Sequence, residues 1–409
     1  MQLFHLYHHH HARQNYPLKH ISDFWLFEIS VWLHVIGRSL IAVFIPILLL
    51  TSGYPIGSVI IYYLIFNIFD TPLNFLADKL TRKLGARLVV TLGTLSAVAF
   101  FIALSFADPA NSYFLVALAA LAALYDSLYW VSHMYIFIES TRESDDSGKY
   151  TGIFYSIRYL GSLMGPAVGA LILILFSQQA LIVASVAILL VSIIPLTRIK
   201  KLHDKPQEKL VPLKQFLNTP NEKKNYFTMW LYGIHKANEG ILWPLFIFLL
   251  FGTINSVVWV PIIISVSSII FSMMAGHIRR QNRERMIILG SGVVAMIWIL
   301  RLVLETPMFY YVSIFIVGLF SLLVDVPLDS NIAQRAKSMD SLSASTYRNL
   351  FSMSSRIILF GLLALLVNVF NVSFMFASLS LFIVLALNQI FISKSRVPIS
   401  TIPAEAVPK

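Results

Sequence analysis

Long apolar stretches alternate with short polar ones from residue 24 almost to the end of the chain. Runs long enough to cross about 30 Å of hydrocarbon as a helix fall at 24–50, 56–78, 87–107, 111–138, 150–176 and 178–197. Six more fall at 226–251, 254–276, 286–304, 308–330, 345–370 and 372–392. The pattern predicts an all-α membrane protein of twelve transmembrane helices. The gaps after even-numbered spans, around 79–87, 139–149, 198–224, 277–285 and 331–344, carry most of the Lys and Arg, whereas the gaps after odd-numbered spans carry none. Basic loops stay on the cytoplasmic side, so both termini are expected in the cytoplasm and the protein in the cell (inner) membrane.

Composition sharpens this reading. With 57% hydrophobic and only 12% charged residues, and a mean hydropathy of +0.75, the 409 residues hold too little polar material to cover a water-soluble globule. A net charge of +11 can signal a nucleic-acid partner, but these basic residues sit in the gaps between spans, so none is expected. The absence of cysteine excludes disulfides and thiolate metal sites. The amino terminus has no apolar core followed by a cleavage site, so no removable signal peptide is expected. The histidine run at 8–11, native or an expression tag, reads as a tail rather than a metal site. No cofactor is expected, and without a GxxxxGK[ST] loop, direct ATP drive is not.

The longest internal gap is charged and proline-containing, and divides the chain into residues 1–197, a linker at 198–224 and residues 225–409. A shift of 198 positions lays Trp32 on Trp230, Arg38 on Lys236, Pro46 on Pro244, Ala77 on Ala275, Arg82 on Arg280, Arg87 on Arg285 and Arg158 on Arg356. A six-helix unit repeated in parallel predicts two pseudo-symmetric bundles around a central site, as in transporters whose halves rock.

The second span ends in NFLADKLTRKLGAR, residues 74–87, and here the chain resembles the major facilitator superfamily. Asp78, Lys79, Arg82 and Lys83 match that family's loop between helices 2 and 3, although Asn74 and Thr81 stand where glycine is favoured. The second copy keeps Arg280 but has Gly276 in place of the aspartate. The resemblance implies that Asp78 sits against the start of helix 11, near Ser343 to Thr346, as part of an inner gate latch, where helix N–H groups favour an anion. The fifth span, with Gly152, Gly161, Gly165, Pro166 and Gly169, is similar to the motif of the family's antiporters, with Ala170 in place of the last glycine. It implies a packing and hinge surface between the halves. The fourth span lacks the arginine that antiporters usually place there.

Six Lys and Arg lie within spans: Arg38, Arg158, Lys236, Arg301, Arg348 and Arg356. Arg301 and Arg348, near helix ends, are expected to snorkel. In the superfamily helices 1, 4, 7 and 10 line the cavity, which makes Arg38, Asp126, His235, Lys236 and Glu239 the candidates for solute binding and proton coupling. The last three share one helical face by their spacing. Glu28, His34, His133, Asp325 and Asp329 are candidates for the vestibule or gate. Asp126 precedes Arg158 by 32 positions and Asp325 precedes Arg356 by 31, so each half is expected to hold its own ion pair, with Asp70 a further partner for Arg356. A metal at the His235/Glu239 pair, aided by Glu28 or His34, is the lesser reading, and no metal is assigned.

Together these features predict a secondary active transporter rather than an enzyme, a monomer in the bilayer that moves a small solute by alternating access, coupled to protons, with export by antiport preferred. An organic-anion carrier using Arg38 and Lys236 as repeat-related cations is the alternative. A membrane-embedded enzyme built on His133, His235 and Asp126, or a transport-dead sensor, stand further off.

Overall fold

The computed structural model describes residues 18–141, 147–199, 209–276, 282–337 and 340–395. The histidine run at 8–11 lies outside them, as does Arg280. Helix accounts for nearly all of the described chain, with no strand among the described residues. The first six long helices are α1 (Leu18–Ala42, continued by Ile45–Thr51), α2 (Ile56–Leu84), α3 (Ala86–Leu104), α4 (Ser112–Ser140), α5 (Ser147–Leu175) and α6 (Gln178–Thr197). A single turn, Leu213–Phe216, precedes α7, which runs Pro220–Ala237, passes through a π-helical turn at Asn238–Leu242, and resumes as Trp243–Phe251. Then follow α8 (Ile254–Gly276), α9 (Arg283–Val303), α10 (Pro307–Ala336), α11 (Ser341–Leu363) and α12 (Val369–Ser395).

Ten of these helices are long and apolar enough to cross a membrane. Helix α11 is not among them, and it begins and ends earlier than the apolar run at 345–370 suggests. Its Ser343, Ser345, Thr346 and Asn349 are buried against other helices, where hydroxyls and amides bond across helix contacts instead of facing lipid. By contrast, Leu171, Ile174, Val183 and Ile194 on α5 and α6 point outward and exposed, as a lipid-facing surface does.

The two breaks in regular helix are repeat-related. Helix α1 is interrupted at Val43 and Phe44, and 198 positions later lie Ile241 and Leu242 of the π-helical turn. Pro46 and Pro244 follow each break by two residues. A proline removes a backbone hydrogen bond and crowds the carbonyl four residues back, which accounts for both interruptions.

The first six helices pack mainly on one another, α1 against α5 and α6, and α4 against α2 and α3. The last six do likewise, with α9 against α10 and α12, and α7 against α11 and α12. The two groups meet along α2 with α11 and α5 with α8, pairs that the 198-residue shift interchanges. Gly161, Gly165 and Gly169 do not lie on this contact. A Cβ at Gly161 would press on Val35, at Gly165 it would overlap Ser39, and at Gly169 it would strike the Leu40 carbonyl, all on α1. The glycine row with Pro166 is therefore a close-packing seam inside the first half, not the surface between halves.

Candidate functional site

The halves are tied together at the end that carries the Asp78 loop. Arg82 reaches back one turn to hold both carboxylate oxygens of Asp78 at 2.9 Å, then crosses to Asp340 at 2.6 Å. Asp340, not Asp78, caps α11: its carboxylate accepts the Ser343 N–H at 3.2 Å. The Asp78 carboxylate instead accepts the Thr346 hydroxyl at 3.2 Å. The latch thus passes through a guanidinium shared by two carboxylates, one from each half. Lys79 and Lys83 lie exposed beside it.

Further bonds cross between the halves in the same region. Ser345 donates to the Val131 carbonyl at 2.6 Å, and Asn349 to the Asn74 side-chain oxygen at 2.6 Å. Asp329 accepts the Tyr155 hydroxyl at 2.6 Å while Arg348 grips both its oxygens at 2.8 and 2.6 Å. The segment before α7 is fastened here too. Tyr347 donates to the Val211 carbonyl at 2.6 Å, the Val211 N–H donates to Ser343 at 3.0 Å, and Phe216 is buried between Tyr226 and Tyr347. Ser343 also accepts from Arg82 at 3.2 Å and donates to Asp340, which uses its one proton and both lone pairs.

The charges deeper in the assembly do not pair as their spacing suggests. Asp126 and Arg158 form no ion pair. Arg158 lies half-buried over the rings of Trp130, Phe154 and Tyr155, at 4.7, 5.2 and 5.6 Å from the ring centres. Asp325 pairs not with Arg356 but with Lys236, at 2.5 Å. Arg356 faces Asp126 and Asp70 across the contact between halves without closing on either, and Asp70 is occupied by Ser127 at 2.6 Å and Asn74 at 3.0 Å. The near-equal intervals of 32 and 31 residues do not mark contacts: the 198-residue shift carries Arg158 onto Arg356 but Asp126 onto Val324, one position short of Asp325.

Nor do His235, Lys236 and Glu239 act on one face. Lys236 turns to Asp325, whereas His235 and Glu239 turn to α9 and α10. Trp298 donates to Nδ1 of His235 at 3.0 Å, and Nε2 meets the Ser321 hydroxyl at 3.1 Å, so both ring nitrogens are engaged. Glu239 is held by Arg301 at 2.8 and 3.4 Å. Arg301 does not snorkel: it is 2% exposed, stacked 3.6 Å from the centre of Trp243 and 4.4 Å from that of Trp298. Arg348, bound to Asp329, does not snorkel either.

In the first half several buried polar groups remain open. Arg38 is half-buried, 5.9 Å from the ring centre of Tyr125 and 5.8 Å from that of Trp130, with no ion pair among the described residues. His34 stacks on Tyr129 at 3.7 Å and meets the Tyr125 hydroxyl at 2.9 Å. Both carboxyl oxygens of Glu28, both ring nitrogens of His133, Nδ1 of His34 and Nε1 of Trp32 are buried with no hydrogen-bond partner among the described residues.

Two groups of six helices, related by a sequence repeat, latched at one end and enclosing unpaired cations, define a membrane transporter of the two-bundle kind. Comparison with protein families agrees: the Major Facilitator Superfamily matches residues 28–358, and the chain belongs to it. It is an integral membrane protein and a transporter of a small solute rather than an enzyme. Comparison with curated proteins gave no match. Among solved structures, the human organic anion transporter MFSD10 (TETRAN) superposes with a TM-score of 0.68 at 11% identity, covering 90% of this chain and 99% of that one. At that identity the likeness speaks for the fold.

Proposed function

We propose that the chain carries a small organic anion across the membrane by alternating access to one site between residues 1–197 and 225–409, which the segment 198–224 joins. One observation carries this reading. Arg38 stays half-buried without an ion pair, while its repeat mate Lys236 is neutralised by Asp325 at 2.5 Å. A cation inside a membrane protein without a protein counter-ion is costly, and an anionic passenger removes that cost. The resemblance in fold to an organic anion transporter supports the same class of solute.

Coupling to protons belongs in this reading with Glu28, whose buried carboxyl has no hydrogen-bond partner among the described residues, rather than with Glu239, which Arg301 holds. The glycines of the fifth span pack inside one half and so lend no preference to antiport. The Asp78 end and both termini face the cytoplasm by the bias of basic residues, in the cell (inner) membrane, and the carrier works as a monomer.

Uptake of radiolabelled organic anions into proteoliposomes tests the function. Arg38→Gln should lower it about tenfold or more, the scale of one charge-assisted bond, without loss of thermal stability. Transport at the parent rate, or preference for organic cations, overturns the reading. For coupling, Glu28→Gln should abolish accumulation driven by a pH gradient and spare exchange of solute for solute. Topology is checked by single thiols, feasible in a cysteine-free chain: Lys214→Cys should react only from the cytoplasm and Asn111→Cys only from outside.

A further inference from the structure

Resting on the organic-anion reading, we infer that the solute is a dianion, gripped at two points by Arg38 and Arg158 around Trp130. Both guanidiniums approach that one indole, at 5.8 and 4.7 Å from its centre, and each leans on further rings, Tyr125 for Arg38 and Phe154 and Tyr155 for Arg158. A guanidinium that meets a ring through its face spends no N–H, and its planar fork stays free for two parallel bonds to a carboxylate or phosphate. Neither arginine gives that fork to a protein acceptor among the described residues. Asp126 and Glu28, the acids whose fields reach Arg38 and Arg158, stay outside ion-pair distance.

The second half shows the same arrangement completed. Arg301 is likewise stacked on indoles, Trp243 and Trp298, and its fork is filled by Glu239. Arg348 has its fork filled by Asp329. Arg301, whose fork Glu239 fills, is out of reach at 2% exposed. Arg38 and Arg158 keep part of their surface. Two open forks call for two anionic groups. The rings of Tyr125, Trp130, Tyr155 and Tyr159 around them suit a planar apolar body between those groups.

The probes are benzoate and the three benzenedicarboxylates, titrated against the purified full-length protein by calorimetry at fixed pH and ionic strength. The best dicarboxylate should bind about tenfold or more tightly than benzoate. Arg38→Gln and Arg158→Gln should each bring it to the level of benzoate, and Arg158→Lys should recover only part, because an ammonium keeps the charge but offers no fork. The lysine variant also stands in should Arg158→Gln unfold. A dicarboxylate that binds no better than benzoate in the parent overturns the inference and leaves the organic-anion reading standing. If none of the four binds, that reading falls with it.

Discussion

The interiors of the two halves treat charge in opposite ways. Within the second half Lys236, Arg301 and Arg348 are each closed onto a carboxylate, and the cation left over, Arg356, faces Asp126 and Asp70 of the first half. In the first half Arg38 and Arg158 lie over rings without an ion pair among the described residues, and Glu28 and His133 have no hydrogen-bond partner among them. One sequence repeat therefore yields a half that neutralises its own charges and a half that leaves them for a passenger. Buried pairs in the second half build a stable frame with α9 and α10, while the first half keeps the chemistry that a solute must complete.

The sharpest way to break this contrast is stability. Removing one partner of a desolvated pair leaves a bare charge, so Glu239→Gln should cost about 3–5 kcal/mol in unfolding experiments, and Glu239→Leu with Arg301→Met should recover most of it. Next in size is the seam between α1 and α5. Gly165→Ala forces a methyl into Ser39 and should cost about 1–3 kcal/mol, showing that the first half is tightly packed despite its open charges. The latch comes third. Arg82→Gln loses charge-assisted bonds to Asp78 and Asp340, and a thiol at Ser132→Cys, beside Thr81 beneath them, should react with a polar maleimide about tenfold faster. Smallest is Glu28→Gln, a near-isosteric swap that removes no hydrogen bond made by the described residues and should change stability by about 1 kcal/mol or less. If Glu28→Gln and Glu239→Gln destabilise equally, the contrast between halves is wrong.

Much of the architecture was legible because hydropathy, basic loops and a constant 198-residue offset are local or periodic signals. The offset also relates the two helix pairs that form the contact between halves, α2 with α11 and α5 with α8. The charge pairing was not legible. Glu239 and Arg301 lie on α7 and α9, 62 positions apart, and nothing in periodicity links them. The flanking Trp243 and Trp298 were the only hint, since a stacked guanidinium needs rings. Conversely, the 32- and 31-residue intervals looked like contacts and are not, since Arg158 lies over rings and Asp325 holds Lys236. Helix α11 escaped a hydropathy reading at its start, because Ser345 and Thr346 donate to Val131 and Asp78 of the first half and to the Leu342 carbonyl rather than facing lipid.

The fastening of Val211 onto α11 has a consequence in terms of chain length. Ile199 packs with the first half, where Arg87 donates to its carbonyl at 3.4 Å, and Val211 is pinned to the second. The leash between the halves is thus twelve peptide units, not the full length of the linker. Fully extended, twelve units reach about 40 Å, which sets the farthest the two anchors can part without one letting go. Residues inserted between 200 and 208 raise that limit and leave both anchors in place, so a tag there should leave transport unchanged. The same tag between Val211 and Phe216 would unfasten the cord from the residue that also holds the latch.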